Sequence, residues 1–104
     1  MKISVIIPTF NEEDTLVEIL KRVLKQEVVG EIIVVDDGSK DKTRELLKKI
    51  QSNNSRIKLV KHKTNLGKGA AIRSGLTKAS LDYVLIQDAD LEYNPEEYPK
   101  LLKP

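Results

Sequence analysis

Apolar and polar positions alternate along the chain in blocks that predict strands and helices in turn. Short runs of β-branched and aliphatic residues are typical of strands in a parallel sheet, whereas apolar residues at a spacing of three or four indicate helices that pack on such a sheet. The predicted strands are 3–7, 31–35, 57–60 and 83–86. Helices are predicted over 12–25, over a segment that follows the second strand and stops at 53–55, over 70–76, and from 95 onward.

This alternation predicts an α/β fold: a Rossmann-like open parallel sheet of about four strands, flanked by helices and joined by right-handed crossovers. We expect a single domain over residues 1–104. Val84, Leu85 and Ile86 form a short apolar run, as in a strand that is buried on both faces. Asn11 is a plausible cap for the first helix, followed by acidic residues near its positive end.

Three of the predicted strands end in polar clusters. The first is followed by Pro8-Thr9-Phe10-Asn11-Glu12, the second by Asp36-Asp37-Gly38-Ser39, and the fourth by Asp88-Ala89-Asp90. Ligands in open parallel sheets bind beyond the carboxyl ends of the strands, at the point where the strand order reverses. Because all three clusters fall on that edge, the sequence predicts a binding site there.

The last cluster has the residue types of a divalent metal site. In extended backbone the spacing of Asp88 and Asp90 points both carboxylates to the same side, where they repel each other unless a cation lies between them. Oxygen ligands of this kind suit Mg²⁺ or Mn²⁺. The alternative is a solvated acidic turn after a strand, which a lone pair of aspartates does not exclude.

Composition and charge bear on which partners and which cellular compartment we expect. The chain has 104 residues, a formal net charge of +2 and no cysteine. Its charges are spread along its length, so no basic face for nucleic acid is expected. The absence of cysteine fits a reducing cytoplasm. The apolar runs are too short to cross a bilayer, and Met1-Lys2 leads directly into the first strand, so we expect no signal peptide.

The usual phosphate-binding loops are absent. No G-x-G-x-x-G follows the first strand, and Gly67-Lys68-Gly69 is not a Walker loop, since His62 stands where its first glycine would be. A bound diphosphate would therefore be held by a metal on carboxylates, with help from Lys68 or Arg73.

Four segments together resemble a known family. These are Val5–Glu12, Ile33–Ser39, Asn65–Ala70 and Gln87–Leu91. In order and spacing they are similar to the family-2 inverting glycosyltransferases of the GT-A fold, and within them most of all to the dolichyl- or polyprenyl-phosphate mannosyl- and glucosyltransferases. The resemblance covers essentially the whole chain.

The resemblance implies roles for individual residues. It places the nucleobase and ribose of a GDP- or UDP-linked sugar against Pro8, Phe10 and Glu12, with Asp37 reading the base edge and Asp36 beside it. It places Asp88 near the ribose and phosphates, and it makes Ala89 a substrate-binding residue. It implies a metal that bridges the diphosphate, bound by Asp90 together with Asp88 and Glu92.

Several of these residues also have structural interpretations. Gly38 is expected to be a turn residue, Ser39 a helix cap, and the small residues of 70–75 a surface for close packing of helix on sheet. Lys68 could be a solvated loop charge and Phe10 could fill the core. His62, the only histidine, is expected to lie at the surface rather than to act in catalysis.

The resemblance also implies that family members are longer than this chain, with the acceptor pocket and any general base downstream. Two hypotheses follow: the chain is the donor-binding part of a glycosyltransferase whose acceptor is a polyprenyl phosphate, or it is a nucleotide-binding or structural module without activity. A lipid acceptor would place the protein at the cytoplasmic face of a membrane. An exposed sheet edge would favour self-association.

Overall fold

The computed structural model describes residues 2–89 and Pro95, and it confirms the predicted fold class. Four parallel strands form one sheet in the order β3-β2-β1-β4. None of the helices in these described residues is long and apolar enough to cross a bilayer. Pro95 apart, the predicted last helix lies outside the described residues. The elements are β1 Ile3–Thr9, α1 Leu16–Leu24, β2 Val29–Asp37, α2 Thr43–Ser52, β3 Ile57–His62, α3 Lys68–Lys78 and β4 Tyr83–Ile86.

β1 lies inside the sheet, between β2 and β4, and is buried on both faces. Ile3, Val5 and Ile7 belong to a core cluster that contains α1 residues and Leu47 of α2. Ile6 points the other way, into a second cluster with Ala71 of α3. Successive side chains in a strand alternate between the two faces of a sheet, so helices on both sides are needed to cover β1.

β4 corrects one prediction from the sequence. We predicted a strand buried on both faces, but Tyr83 is 56 % exposed, Val84 38 % and Ile86 39 %. β4 pairs with β1 on one side and is the last strand of the sheet as described. An apolar run shows that a segment is a strand, but it does not show where that strand lies in the sheet.

The first helix begins later than predicted. α1 starts at Leu16 after a turn, and Asn11 does not cap it; instead Asn11 adopts a positive φ of 50°. That conformation is one that asparagine tolerates better than most residues. The Asn11 backbone N–H donates to the Ser39 hydroxyl, and the Asn11 side chain accepts from the Lys40 N–H. Ser39 therefore holds this turn and is not the predicted helix cap.

Close packing of α3 on the sheet is confirmed. Ala71 and Gly75 are buried, and a Cβ atom at Gly75 would lie 2.6 Å from the Cγ2 of Ile6. Carbon atoms that are not bonded to each other essentially never lie so close, so glycine at position 75 is what lets the helix approach β1 this closely.

A buried carboxylate joins three segments near the amino ends of the strands. Glu31 in β2 accepts hydrogen bonds from the Ser4 and Ser80 hydroxyls at 2.5 and 3.0 Å, and from the Ser80 N–H at 2.6 Å. Lys58 places its ammonium 2.7 Å from the other oxygen. Burial would raise the pKa of Glu31, but these partners lower it from 4.5 to about 2.

We predict that Glu31 makes the fold sensitive to acid. A carboxylate with a lowered pKa stabilises the folded state above its unfolded pKa, and that contribution is lost as the pH falls from about 4.5 toward about 2. Glu31→Gln should cost about 1–3 kcal/mol at pH 7. Urea unfolding measured at pH 7 and at pH 3 should show a smaller difference between wild type and variant at pH 3.

Glu18→Gln is the matched control, since Glu18 forms an exposed ion pair with Arg22 one helical turn away. Such pairs contribute less than about 0.5 kcal/mol. A difference between wild type and Glu31→Gln that is the same at both pH values would contradict the prediction.

We also predict that β4 promotes self-association, because its outer edge has no partner strand among the described residues and a strand edge with apolar side chains is a template for another chain. Light scattering should show a mass that rises with protein concentration. Val84→Lys, which places a charge on the edge, should reduce that rise. A monomer at all concentrations for the wild type would contradict the prediction.

Candidate nucleotide-sugar site

A cavity of about 370 Å³ lies at the carboxyl ends of the strands. β1 and β4 are neighbours there although they are the first and last strands along the described chain, so this is the point where the strand order reverses. The volume is within the range typical of small-molecule sites. Its lining residues are Pro8, Thr9, Phe10, Glu12, Asp37, Asn65, Gly67, Lys68, Ala71, Asp88 and Ala89.

Most of the residues predicted from the sequence meet in this cavity. The structure brings together Pro8, Phe10, Glu12, Asp37, Lys68, Asp88 and Ala89. Asp36 and Arg73 do not line it, and Asp90 and Glu92 lie outside the described residues. Thr9, Asn65, Gly67 and Ala71 line it without having been singled out as site residues.

The turn after β1 presents an aromatic face to the cavity. Phe10 is 42 % exposed, so it does not fill the core, which was the structural alternative for it. The left-handed Asn11 next to it reverses the chain, and the Glu12 N–H donates to the Thr43 hydroxyl at the start of α2. The loop is therefore tied to the neighbouring β2–α2 connection, which fixes the position of Phe10.

Asp36 and Asp37 point to opposite faces of the sheet, because adjacent side chains alternate along a strand. Asp36 is fully buried, forms an ion pair with the Arg44 guanidinium at 2.7 Å and accepts from the Ser39 N–H. Arg44 in turn donates to the carbonyl of His62. This geometry ties α2 to β2 and β3, and it does not support the direct substrate contact expected of Asp36.

Asp37 lies at the cavity and holds the loop before α3. One carboxylate oxygen accepts from the Leu66 N–H and the other from the Gly67 N–H, both at 2.9 Å. His62 Nδ1 lies 2.7 Å from the first oxygen. Burial would raise the pKa of Asp37, but these hydrogen bonds lower it below its usual value, so the carboxylate is ionised at neutral pH.

His62 is not the surface residue expected from the sequence. Its side chain is only 10 % exposed, and its second ring nitrogen lies 2.8 Å from the Ser74 hydroxyl of α3. The alternation of side chains along β3 carried the signal: Ile57 and Leu59 face the cluster beneath α1 and α2, and Val60 faces the cluster beneath α3. His62 shares the direction of Val60, toward α3 and Asp37.

Lys68 and Asp88 form an ion pair across the cavity, with Nζ and a carboxylate oxygen 2.6 Å apart. Lys68 is the first residue of α3 and Asp88 follows β4, so the pair joins two walls of the site. The Ala89 carbonyl beside Asp88 accepts from the Thr15 hydroxyl, which anchors this loop near the start of α1. Lys68 is therefore more than the solvated loop charge considered as its alternative.

In the part of the chain that the structure describes, no three histidine or acidic side chains are grouped so that they could hold a metal ion. Asp88 is the one predicted ligand among the described residues, and it lies at the cavity. A carboxylate is the donor that Mg²⁺ and Mn²⁺ prefer, so the residue present is compatible with such an ion. Asp90 and Glu92 stay predictions as ligands.

The comparisons with known proteins agree with this geometry. Residues 4–104 match the family described as glycosyl transferase family 2. The chain is 41 % identical over 97 % of its length to an undecaprenyl-phosphate 4-deoxy-4-formamido-L-arabinose transferase from Edwardsiella ictaluri, of which it covers 33 %. It is 39 % identical over 99 % of its length to a dolichol-phosphate mannosyltransferase from Pyrococcus furiosus, of which it covers 30 %.

Two solved structures resemble the fold closely. One is S. aureus TarS 1-349 in complex with UDP-GlcNAc, with a TM-score of 0.81 and 33 % identity, covering 97 % of this chain and 30 % of that one. The other is the mannosyltransferase PcManGT from Pyrobaculum calidifontis in complex with GDP-Man and Mn²⁺, with a TM-score of 0.79 and 30 % identity. That match covers 86 % of this chain and 27 % of the mannosyltransferase.

The chain spans about a third of the length of the curated relatives it matches. Its sheet order, its cavity at the strand ends and its sequence agree with one another over nearly its full length. The chain belongs to glycosyl transferase family 2, with the fold of the GT-A glycosyltransferases.

Proposed function

We propose that residues 1–104 form the donor-binding part of a glycosyltransferase that binds a GDP- or UDP-linked sugar with Mg²⁺ or Mn²⁺. The observation that carries the proposal is the composition of the cavity. An exposed aromatic ring at Phe10 and an ion pair between Lys68 and Asp88 lie on the walls of one space, at the edge of the sheet where nucleotides bind.

The two ends of the cavity suit the two ends of a nucleoside diphosphate. The flat face of Phe10 can stack on a base, and Pro8 beside it adds apolar surface. The Lys68 ammonium is a point charge suited to a phosphate oxygen. Since Lys68 is 59 % exposed, it can turn from Asp88 to a ligand without a change of backbone.

A divalent ion would supply charge stabilisation for the departing diphosphate. Asp88, with Asp90 and Glu92 following it in sequence, would hold that ion. Two similar structures support a metal in this role: PcManGT is in complex with GDP-Man and Mn²⁺, and a glucosyl-3-phosphoglycerate synthase from Mycobacterium tuberculosis is in complex with UDP and Mn²⁺.

We further propose that the reaction is an inverting transfer to a polyprenyl or dolichyl phosphate, in which the acceptor phosphate attacks the anomeric carbon opposite the leaving diphosphate. An acceptor that is already anionic needs no general base. The names of the relatives, which are transferases of undecaprenyl phosphate and dolichol phosphate, support this acceptor. Such an acceptor would bring the protein to the cytoplasmic face of a membrane.

A second candidate is a nucleotide-binding module that carries out no transfer. It is supported by one observation: the cavity in the described residues offers an aromatic residue and an ion pair to a nucleotide, and binding alone requires no more than these. The two candidates share nucleotide binding and differ in turnover.

We predict that the chain binds GDP or UDP in a manner that depends on Mn²⁺. Isothermal titration with each nucleotide, with and without Mn²⁺, should show tighter binding in its presence. Asp90→Asn should weaken binding with the metal by about tenfold or more, because it removes a negatively charged ligand. Asp82→Asn, an exposed aspartate at the opposite end of β4, is the matched control and should bind as the wild type does. Equal affinities with and without metal would contradict the metal-dependent donor site.

Turnover can exclude the second candidate, because only a transferase forms glycolipid; an absence of glycolipid fits both candidates. If the chain is a complete transferase, incubation of GDP-mannose or UDP-glucose with a polyprenyl phosphate should yield a glycolipid and free nucleoside diphosphate. We expect little or none from these 104 residues alone, because they span about a third of the length of the curated transferases they match. Ready glycolipid formation would show that acceptor contacts are present in this part.

A further inference from the structure

We propose that His62 is a positioning residue: it holds the Asp37 carboxylate, and Asp37 in turn fixes the loop that forms one wall of the donor cavity. The inference rests on the proposed function for its effect on nucleotide affinity. It assigns a role to a side chain that does not itself line the cavity.

The first step is the number of hydrogen bonds that the Asp37 carboxylate accepts. Its carboxylate accepts from the Leu66 N–H, the Gly67 N–H and His62, and only 5 % of the side chain is exposed. A carboxylate has about four acceptor positions, so these three partners occupy most of them and leave one on the oxygen that binds Gly67. Asp37 therefore has a second task besides any contact with the base edge, which is to hold the loop before α3.

The second step is what this loop contributes. Asn65, Gly67 and Lys68 line the cavity, and Lys68 reaches Asp88 from the first position of α3. Gly67 has a φ of +97°, so the chain turns sharply at the residue whose N–H Asp37 binds. If the carboxylate moved, the start of α3 and the Lys68 charge would lose their anchor.

The third step is how His62 holds Asp37. A carboxylate can only accept, so Nδ1 of His62 carries the proton and donates to Asp37. Nε2 lies 2.8 Å from the Ser74 hydroxyl, which is two turns along α3 from Lys68. The ring is thus fixed at both nitrogens, and it connects the end of β3 with the body of α3 and with Asp37 at the end of β2.

Two conservative variants separate the bonds that His62 makes. The amide nitrogen of asparagine stands about where Nδ1 stands, so His62→Asn keeps the donor to Asp37 and gives up Ser74. The amide of glutamine reaches the position of Nε2, so His62→Gln keeps a partner for Ser74 and gives up Asp37. A loss of general packing would affect both variants alike.

The experiment measures local order and affinity together. Hydrogen exchange should show the Leu66 and Gly67 amides exchanging about tenfold faster in His62→Gln than in the wild type, and within about threefold of it in His62→Asn. The Ile32 amide, which donates to the Arg56 carbonyl far from this loop, should be unchanged in both and so reports that the variants are folded.

Affinity for GDP or UDP with Mn²⁺ should follow the same order, with a loss of about tenfold in His62→Gln and recovery in His62→Asn. Unchanged exchange at Leu66 and Gly67 in a folded His62→Gln would overturn the role of His62, as would equal losses in both variants. If the wild type bound neither nucleotide, the proposed function would fail, and amide exchange would still decide whether His62 holds the loop.

Discussion

The structure depends on one geometric constraint: all four described strands run in the same direction, with β1 between β2 and β4. Parallel strands require helical crossovers, and these bring every strand back to start at the same edge. The polar segments that follow the strands therefore meet at the opposite edge. Residues from distant parts of the sequence, such as Phe10, Asp37 and Asp88, line a single cavity for this reason.

The alternation of side chains within each strand then assigns these residues to separate tasks. Ile32 and Val34 in β2 face the cluster beneath α1 and α2, and Asp36 continues in that direction to meet Arg44. The odd-numbered positions face α3, so Asp37 meets the loop that begins it. The two adjacent aspartates therefore have different roles: Asp36 joins β2 to α2, and Asp37 holds the loop that forms one wall of the cavity.

Much of this arrangement could be predicted from the sequence. The strands, their parallel direction and the meeting of the polar clusters followed from short apolar runs that alternate with helical patterns. The opposite directions of Asp36 and Asp37, and the inward direction of His62, could have been obtained by continuing the alternation of β2 and β3 to their last residues. The ion pair of Lys68 with Asp88 could not have been predicted from the sequence, because it depends on where α3 begins relative to the end of β4. The exposure of β4 also depended on strand order, which no run of apolar residues reveals.

One glycine has a consequence for how such a site can diversify. Gly38 has a φ of +79°, and a Cβ atom there would lie 2.5 Å from the backbone carbon of Thr64. The atoms nearest to this position are main-chain atoms of Thr64 and Asn65, so no change of rotamer could make room for a Cβ atom. Over evolutionary time this wall is therefore closed to adjustment by substitution at position 38. Substitution can instead change the cavity at Phe10, which lines it and is 42 % exposed.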